Sequence, residues 1–183
     1  FVADVLGSAF SPALAALFSR HDEAAMDYLA FRRDMEGLAA ERAARLGSDT
    51  DLAVISAVFR KMEMAHDTRS AEDEAALDAQ FHMSIIEASH NVVMLHMMRS
   101  MYELLRSGVF YNRQIMFRQQ TKRAVLLDQH RAIHDALIAR DAVGAREAVE
   151  AHLTYVERAL MDQQRAARHE DVARQRLDQE MDS

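Results

Sequence analysis

The stretch Leu77-Asp78-Ala79-Gln80-Phe81-His82-Met83-Ser84-Ile85-Ile86-Glu87-Ala88-Ser89-His90-Asn91 decides the fold. Leu77, Phe81, Ile85 and Ala88 recur every three or four residues, the period of a helix that buries one face. Neither Gly nor Pro interrupts the run, and no alternation of a strand shows in it. Asn91 is a good N-cap, so one helix ends near His90 and another opens at Val92.

The same reading extends outward in both directions. Upstream, Leu52, Ile55, Val58, Phe59 and Met62 share a face of a helix that stops near Asp67-Thr68-Arg69-Ser70. Ser70 with Asp73 resembles a capping box with Asp in place of Glu. Before it, Ala24 to Leu46 carries Leu29, Met35, Leu38 and Ala39 at helical spacing. Gly47 ends that helix, and Ser48-Asp49-Thr50-Asp51 offers caps for the next. Pro12 after Ser11 opens a short helix to Ser19. Downstream, Val92 to about Phe117 places Leu95, Met98, Leu104 and Leu105 inward, with a bend allowed at Gly108. Thr121 to Arg140 and Ala142 to about Gln164 follow, the latter capped by Asp141. From Arg165 onward charges crowd and apolar residues stand isolated, so the tail is either a polar helix extension or frayed. The predicted fold is all-α, an antiparallel bundle of six to seven helices.

Composition agrees and excludes other classes. Five Gly and one Pro among 183 residues leave too few turns for a sandwich or barrel. A net charge of −7 disfavours a surface that grips nucleic-acid phosphates unaided. The absence of Cys removes disulfides, thiolate metal sites and Cys nucleophiles, and fits a cytoplasmic setting. No apolar run is long enough to span a membrane. Phe1-Val2-Ala3-Asp4 has neither an initiator Met nor the start of a signal peptide, so an upstream segment is expected.

The nine His residues carry the candidate chemistry. Asp78 and His82 lie four apart, so a helix puts them on one face, a turn from each other. Such a pair can offer one carboxylate oxygen and one imidazole nitrogen to a metal ion. His130 sits on the stripe of Leu126, Ile133 and Leu137, and His152 on that of Val149 and Val156. A lone inward His is usually a hydrogen-bonded core residue; three on separate helices, with an Asp, favour a site inside the bundle. His134, four after His130, competes for the same place. Glu63-Met64-Ala65-His66 and Glu87-Ala88-Ser89-His90 match the Glu-x-x-His pattern of di-iron bundles, but both His fall at helix ends. No phosphate loop or nucleophile elbow is present.

Three further segments carry a family resemblance. Arg32-x-x-x-Glu36 leads into Ala39-Ala40 and Ala43-Ala44; Asp78 to His82 is followed by Ala88-Ser89-His90-Asn91; His130-Arg131-Ala132-Ile133 runs on to Ala136-Leu137, Asp141 and Ala151-His152-Leu153. Together they resemble the effector-binding (FCD) domain of GntR-type transcriptional regulators of the FadR subfamily, over nearly the whole chain. The run from Asn91 to Met101 resembles the branch of the pyruvate dehydrogenase complex repressor and the lactate and glycolate regulators.

The resemblance implies residues 1–4 as the end of an N-terminal winged-helix DNA-binding domain, 5–165 as the effector-binding domain and 166–183 as a polar tail. It selects His130 over His134, giving the metal ligands Asp78, His82, His130 and His152. The ion would be divalent: Zn, Ni, Fe or Mn. Two open positions on a six-coordinate ion would take a small carboxylate, with Arg32 as a clamp on its far end. The competing role for Arg32 is an ion pair with Glu36. Gln129 departs from the family's usual Glu and is expected to stand apart from the ligand set. A regulator of this kind is no enzyme and is expected as a homodimer, through Pro12 to Arg20 or through the Met-rich helix after Asn91. DNA contact would belong to the N-terminal domain alone. A metal-dependent enzyme on the same bundle, or a purely structural metal, are the alternatives.

Overall fold

In the computed structural model, residues 24–68, 71–106 and 120–181 are described, together with Ala16 and Arg20. Six helices occupy them: α1 (Ala24–Leu46), α2 (Asp49–Thr68), α3 (Ala71–Ala88), α4 (Val92–Arg106), α5 (Gln120–Ile138) and α6 (Ala142–Met181). No strand occurs among the described residues, so the fold is an all-α bundle. The segment Pro12–Ser19, the Ser70 cap, the bend at Gly108 and residues 1–4 lie outside the described residues, Ala16 excepted. Among the described residues no helix is long and apolar enough to cross a membrane.

The connections are as short as the caps implied. Asn91 Oδ1 accepts from the Met94 amide at 3.1 Å, and Asp141 Oδ1 from the Gly144 amide at 3.0 Å. Ser48 and Asp51 form a reciprocal cap at the start of α2. The Asp51 amide donates to Ser48 Oγ at 3.1 Å, and the Ser48 amide to Asp51 Oδ2 at 2.8 Å. His90 (φ 50°) and Arg140 (φ 54°) end α3 and α5 in the left-handed region, at a cost of roughly 1–2 kcal/mol each. Both side chains then grip the α1–α2 turn. His90 Nε2 lies 2.9 Å from Asp51 Oδ2. Arg140 donates to the Gly47 carbonyl at 2.9 Å and to Asp49 at 2.8 Å.

Helix α1 packs along α6; α2 lies against α3 and α5; α5 against α6; and α3 against α1 and α4. Small residues let α1 approach closely. Ala39, Ala40, Ala43 and Ala44 are buried, and a Cβ on Gly37 would stand 3.1 Å from the Glu150 side chain of α6. Leu38, expected inward, is exposed instead, because the alanine run takes the contact face. One core cluster gathers Ile55, Phe59, Phe81, Ile133, Leu137, Val149 and Leu153. A second gathers Tyr28, Leu29, Ile86, Met98, Tyr102 and Leu160. Helix α6 does not stop near Gln164. It continues to Met181 with every residue from Arg165 exposed, so the polar tail is a helix extension.

Candidate metal centre

Asp78 and His82 project from adjacent turns of α3, His130 from α5 and His152 from α6. Each stands on a stripe whose apolar members are buried: Phe81 and Ile85, Leu126 and Ile133, Val149 and Val156. Burying those stripes therefore buries the polar four with them. The three His are 1% exposed and Asp78 is 5% exposed. One ligand atom from each residue lies within 4.8 Å of all the others. His130 Nε2 is 3.0 Å from Asp78 Oδ1 and 3.4 Å from His82 Nε2, and His82 Nε2 is 3.8 Å from Asp78 Oδ1. Donors around a divalent ion with bonds of about 2.1 Å stand about 3.0–3.4 Å apart along the edges of an octahedron or tetrahedron. The two separations from His130 fall in that range, and the 3.8 Å between His82 and Asp78 is wider.

Two outer contacts turn the rings inward. His82 Nδ1 lies 2.7 Å from Glu36 Oε2, and His152 Nδ1 lies 3.0 Å from Gln129 Oε1. His152 Nδ1 is hydrogen-bonded to its acceptor, and His82 Nδ1 faces Glu36 in a close ion-pair contact outside hydrogen-bond geometry, so in both rings Nε2 keeps its lone pair for a cation. Burial pushes the His82 imidazolium pKa below the ordinary His value, against the opposing pull of Glu36. Burial, with His130 and His82 beside it, pushes His152 down further. Both shifts favour the neutral imidazole, the form that binds metal. Burial alone would raise the Glu36 carboxyl, but the charges and hydrogen bonds of Arg32 and His82 hold it well below the carboxylate range.

The neighbouring candidates separate cleanly. His134 stacks on Phe59 at 4.8 Å and meets Ser56 Oγ at 3.0 Å, so it takes no place among the four. The Glu-x-x-His residues diverge too: Glu87 pairs with Arg99, His90 with Asp51, and His66 stands 3.9 Å from Glu74. Arg32 is buried at 1% exposure; its Nε donates to Glu36 at 2.6 Å and its Nη2 to the Tyr102 hydroxyl at 2.8 Å. Tyr102 in turn donates to Glu36 at 2.9 Å. Gln129 corrects the expectation that it stands apart: it sits one residue before His130 yet reaches across to His152 on α6.

Glu36 and Tyr102 were not singled out as site residues. Glu36 had a legible signal, since Arg32 and Glu36 continue the stripe from Leu29 to Ala39 and Ala43, all buried. Tyr102 had none, because only the packing of α4 against α3 brings it to Arg32.

Residues 27–155 match the FCD domain family. The chain is 38% identical over 115 residues to a putative L-lactate dehydrogenase operon regulatory protein of Escherichia coli, covering 59% of this chain and 45% of that one. It is 31% identical over 149 residues to the Glc operon transcriptional activator of E. coli, covering 80% and 59%. With the HTH-type transcriptional regulator LutR of Bacillus subtilis it shares 29% over 150 residues, covering 81% and 67%. It thus spans about half the length of the first two relatives. These relatives are regulators, not enzymes. In three dimensions it is similar to E. coli McbR/YncC (TM-score 0.65, 16% identity, 75% of this chain and 64% of that one). It is also similar to a GntR of Streptococcus agalactiae (TM-score 0.61, 21% identity, 75% and 59%). At these identities the two structures speak for the fold.

Proposed function

The chain belongs to the FCD domain family, and from that premise we propose that it is the sensory part of a transcriptional regulator. A small organic acid binds at a divalent metal centre formed by Asp78, His82, His130 and His152. The observation that carries this reading is the convergence of three helices on one buried set of donors within 4.8 Å. The cation is Zn, Ni, Fe or Mn, all suited to imidazole and carboxylate ligands. When bound, it supplies a Lewis-acid anchor for a carboxylate.

Arg32 is the proposed second anchor, contacting the acid from its place beside Glu36. The name of the L-lactate relative makes 2-hydroxy acids the first ligands to try. Acid binding would favour one packing of α1, α3 and α4 over another through its differential affinity for the two. The protein works as a homodimer in the cytoplasm. Its DNA contacts belong to an N-terminal domain outside residues 5–165, consistent with the net charge of −7 on this chain.

The closing test is a titration of metal-free protein with each of the four ions, followed by acids. One ion per chain, and a melting rise with lactate, pyruvate or glycolate only when metal is loaded, are expected. No metal binding overturns the centre. A second reading, a metal that only stabilises the fold, is favoured by the engagement of Arg32 with Glu36 and Tyr102. It takes over if metal binds but no acid does.

A further inference from the structure

Two of the three imidazoles in the cluster have a protein partner on Nδ1, and the third does not. His130 Nδ1 is buried without a hydrogen-bond partner among the described residues. Its Nε2 is turned toward Asp78 and His82. His130 also lines a small cavity, together with Met62, His66, Glu74, Arg123 and Leu127. The space open to the centre of a water molecule is about 10 Å³, close to what a single water needs and too little for an organic ligand.

The polar wall of this cavity is well held. Arg123 Nε donates to both Glu74 oxygens at 2.9 Å, and its Nη2 pairs with Glu74 as well. Arg123 Nη2 also donates to the His66 carbonyl at 2.8 Å. Glu74 is 5% exposed and Arg123 7%. Arg123 can only donate; of the acceptors in the wall the Glu74 carboxylate is the charged one, beside the His66 imidazole and the His66 carbonyl, which already accepts from Arg123.

We propose that this cavity holds one ordered water that accepts from His130 Nδ1–H and donates to Glu74, making Glu74 a positioning residue for His130. The inference rests on the metal reading above. A neutral imidazole that offers Nε2 to a cation carries its proton on Nδ1, and that buried donor needs an acceptor. A water between His130 and Glu74 supplies it. The arrangement then repeats on a second side of the centre. Arg32, Glu36 and His82 run cation, carboxylate, imidazole by direct contact; Arg123, Glu74 and His130 run in the same order across a water.

A high-resolution crystal structure of the zinc-loaded protein tests this directly. Density for a water within about 3.2 Å of both His130 Nδ1 and Glu74 is expected. A dry cavity, or a protein group bonded to Nδ1, overturns the proposal. Zinc affinity by chelator competition gives an independent readout. Glu74→Leu with Arg123→Leu removes the acceptor and its partner together and should weaken zinc about 10–100-fold, with metal-free melting kept close to wild type. Leu127→Phe, which fills the cavity and leaves the ion pair alone, should give the same loss. Glu74→Gln keeps an acceptor oxygen and should retain most of the affinity. Wild-type affinity in a folded double variant and in Leu127→Phe overturns the proposal. A wild-type chain that binds no metal overturns the centre itself, a separate result.

Discussion

Glu36 Oε2 stands 2.7 Å from His82 Nδ1 while Glu36 Oε1 accepts from Arg32 Nε at 2.6 Å, so one buried carboxylate joins a cation to an imidazole. That contact aims His82 Nε2 inward and raises its basicity. Glu36→Gln keeps the shape but removes the charge, and its amide leaves Arg32 without a counter-charge. Metal affinity is expected to fall about 10–100-fold. Calorimetric titration with zinc or nickel checks it. Unchanged affinity would make Glu36 a partner of Arg32 only.

His130 and His134 test the assignment on α5. His130→Ala should abolish stoichiometric metal. Wild type should gain about 2.7 kcal/mol of stability when free metal is a hundredfold above its Kd, and this variant almost none. His134→Ala removes the Ser56 contact and the Phe59 stack but should leave metal content whole. Metal analysis after dialysis, beside melting curves, separates the two.

The helices were legible because their apolar faces are periodic. Phe81, Ile85 and Ala88 are all buried where spacing put them. The caps at Asn91 and Asp141 were legible from residue type, since each side chain bonds an amide three residues on. Asp78, His82, His130 and His152 stand on the same stripes, so their inward direction was legible too. The choice of His130 over His134 needed either the resemblance or the structure, because both fit helical spacing. The left-handed turns at His90 and Arg140 were not legible. Neither is the Gly or Asn that usually marks a left-handed helix end, and each makes a long-range contact with the α1–α2 turn. The reach of Gln129 to His152 was hidden for the same reason.

Gln129 offers His152 an amide oxygen where the family usually carries a carboxylate. A carboxylate acceptor makes a ligand imidazole more basic than an amide does. Gln129→Glu should therefore tighten metal binding, by up to about tenfold, with little change in metal-free melting. The position is half-buried, so the added charge keeps part of its hydration. Competition against a chelator measures it. Weaker binding would show that burial of the charge outweighs the gain in basicity.

The Ser48–Asp51 cap gives a pH dependence remote from the centre. Hydrogen bonds from Ser48 to Asp51, helped by His90 against a small burial effect, lower the Asp51 pKa from 3.8. A lowered carboxyl pKa contributes stability that is complete above the unfolded value and lost as pH falls through the folded one. Asp51→Asn should thus cost about 0.3–1 kcal/mol at pH 7, the usual worth of a carboxylate in the first turn of a helix, and less at pH 3. Urea unfolding at both values checks the sign. A cost that stays equal at pH 3 would assign the loss to packing.

Charge accounting at the centre separates two roles for Arg32. A divalent ion with Asp78, Arg32 and Glu36 leaves a formal charge of about +1 in a buried site, which one carboxylate neutralises. Lactate, pyruvate and glycolate should therefore bind better than citrate. A direct bond from Arg32 to the acid is charge-assisted, and its loss in Arg32→Ala should cost about 1.5–3 kcal/mol, or roughly ten- to a hundredfold in affinity. The same substitution also strands Glu36 as a buried anion, which by itself repels an acid. Arg32→Ala with Glu36→Gln restores the formal charge without restoring the guanidinium fork. If acid affinity, measured by calorimetry on metal-saturated protein, stays low in this double variant, Arg32 touches the acid. If it returns to the wild-type value, Arg32 acts only by neutralising Glu36, and the acid is held by the metal alone.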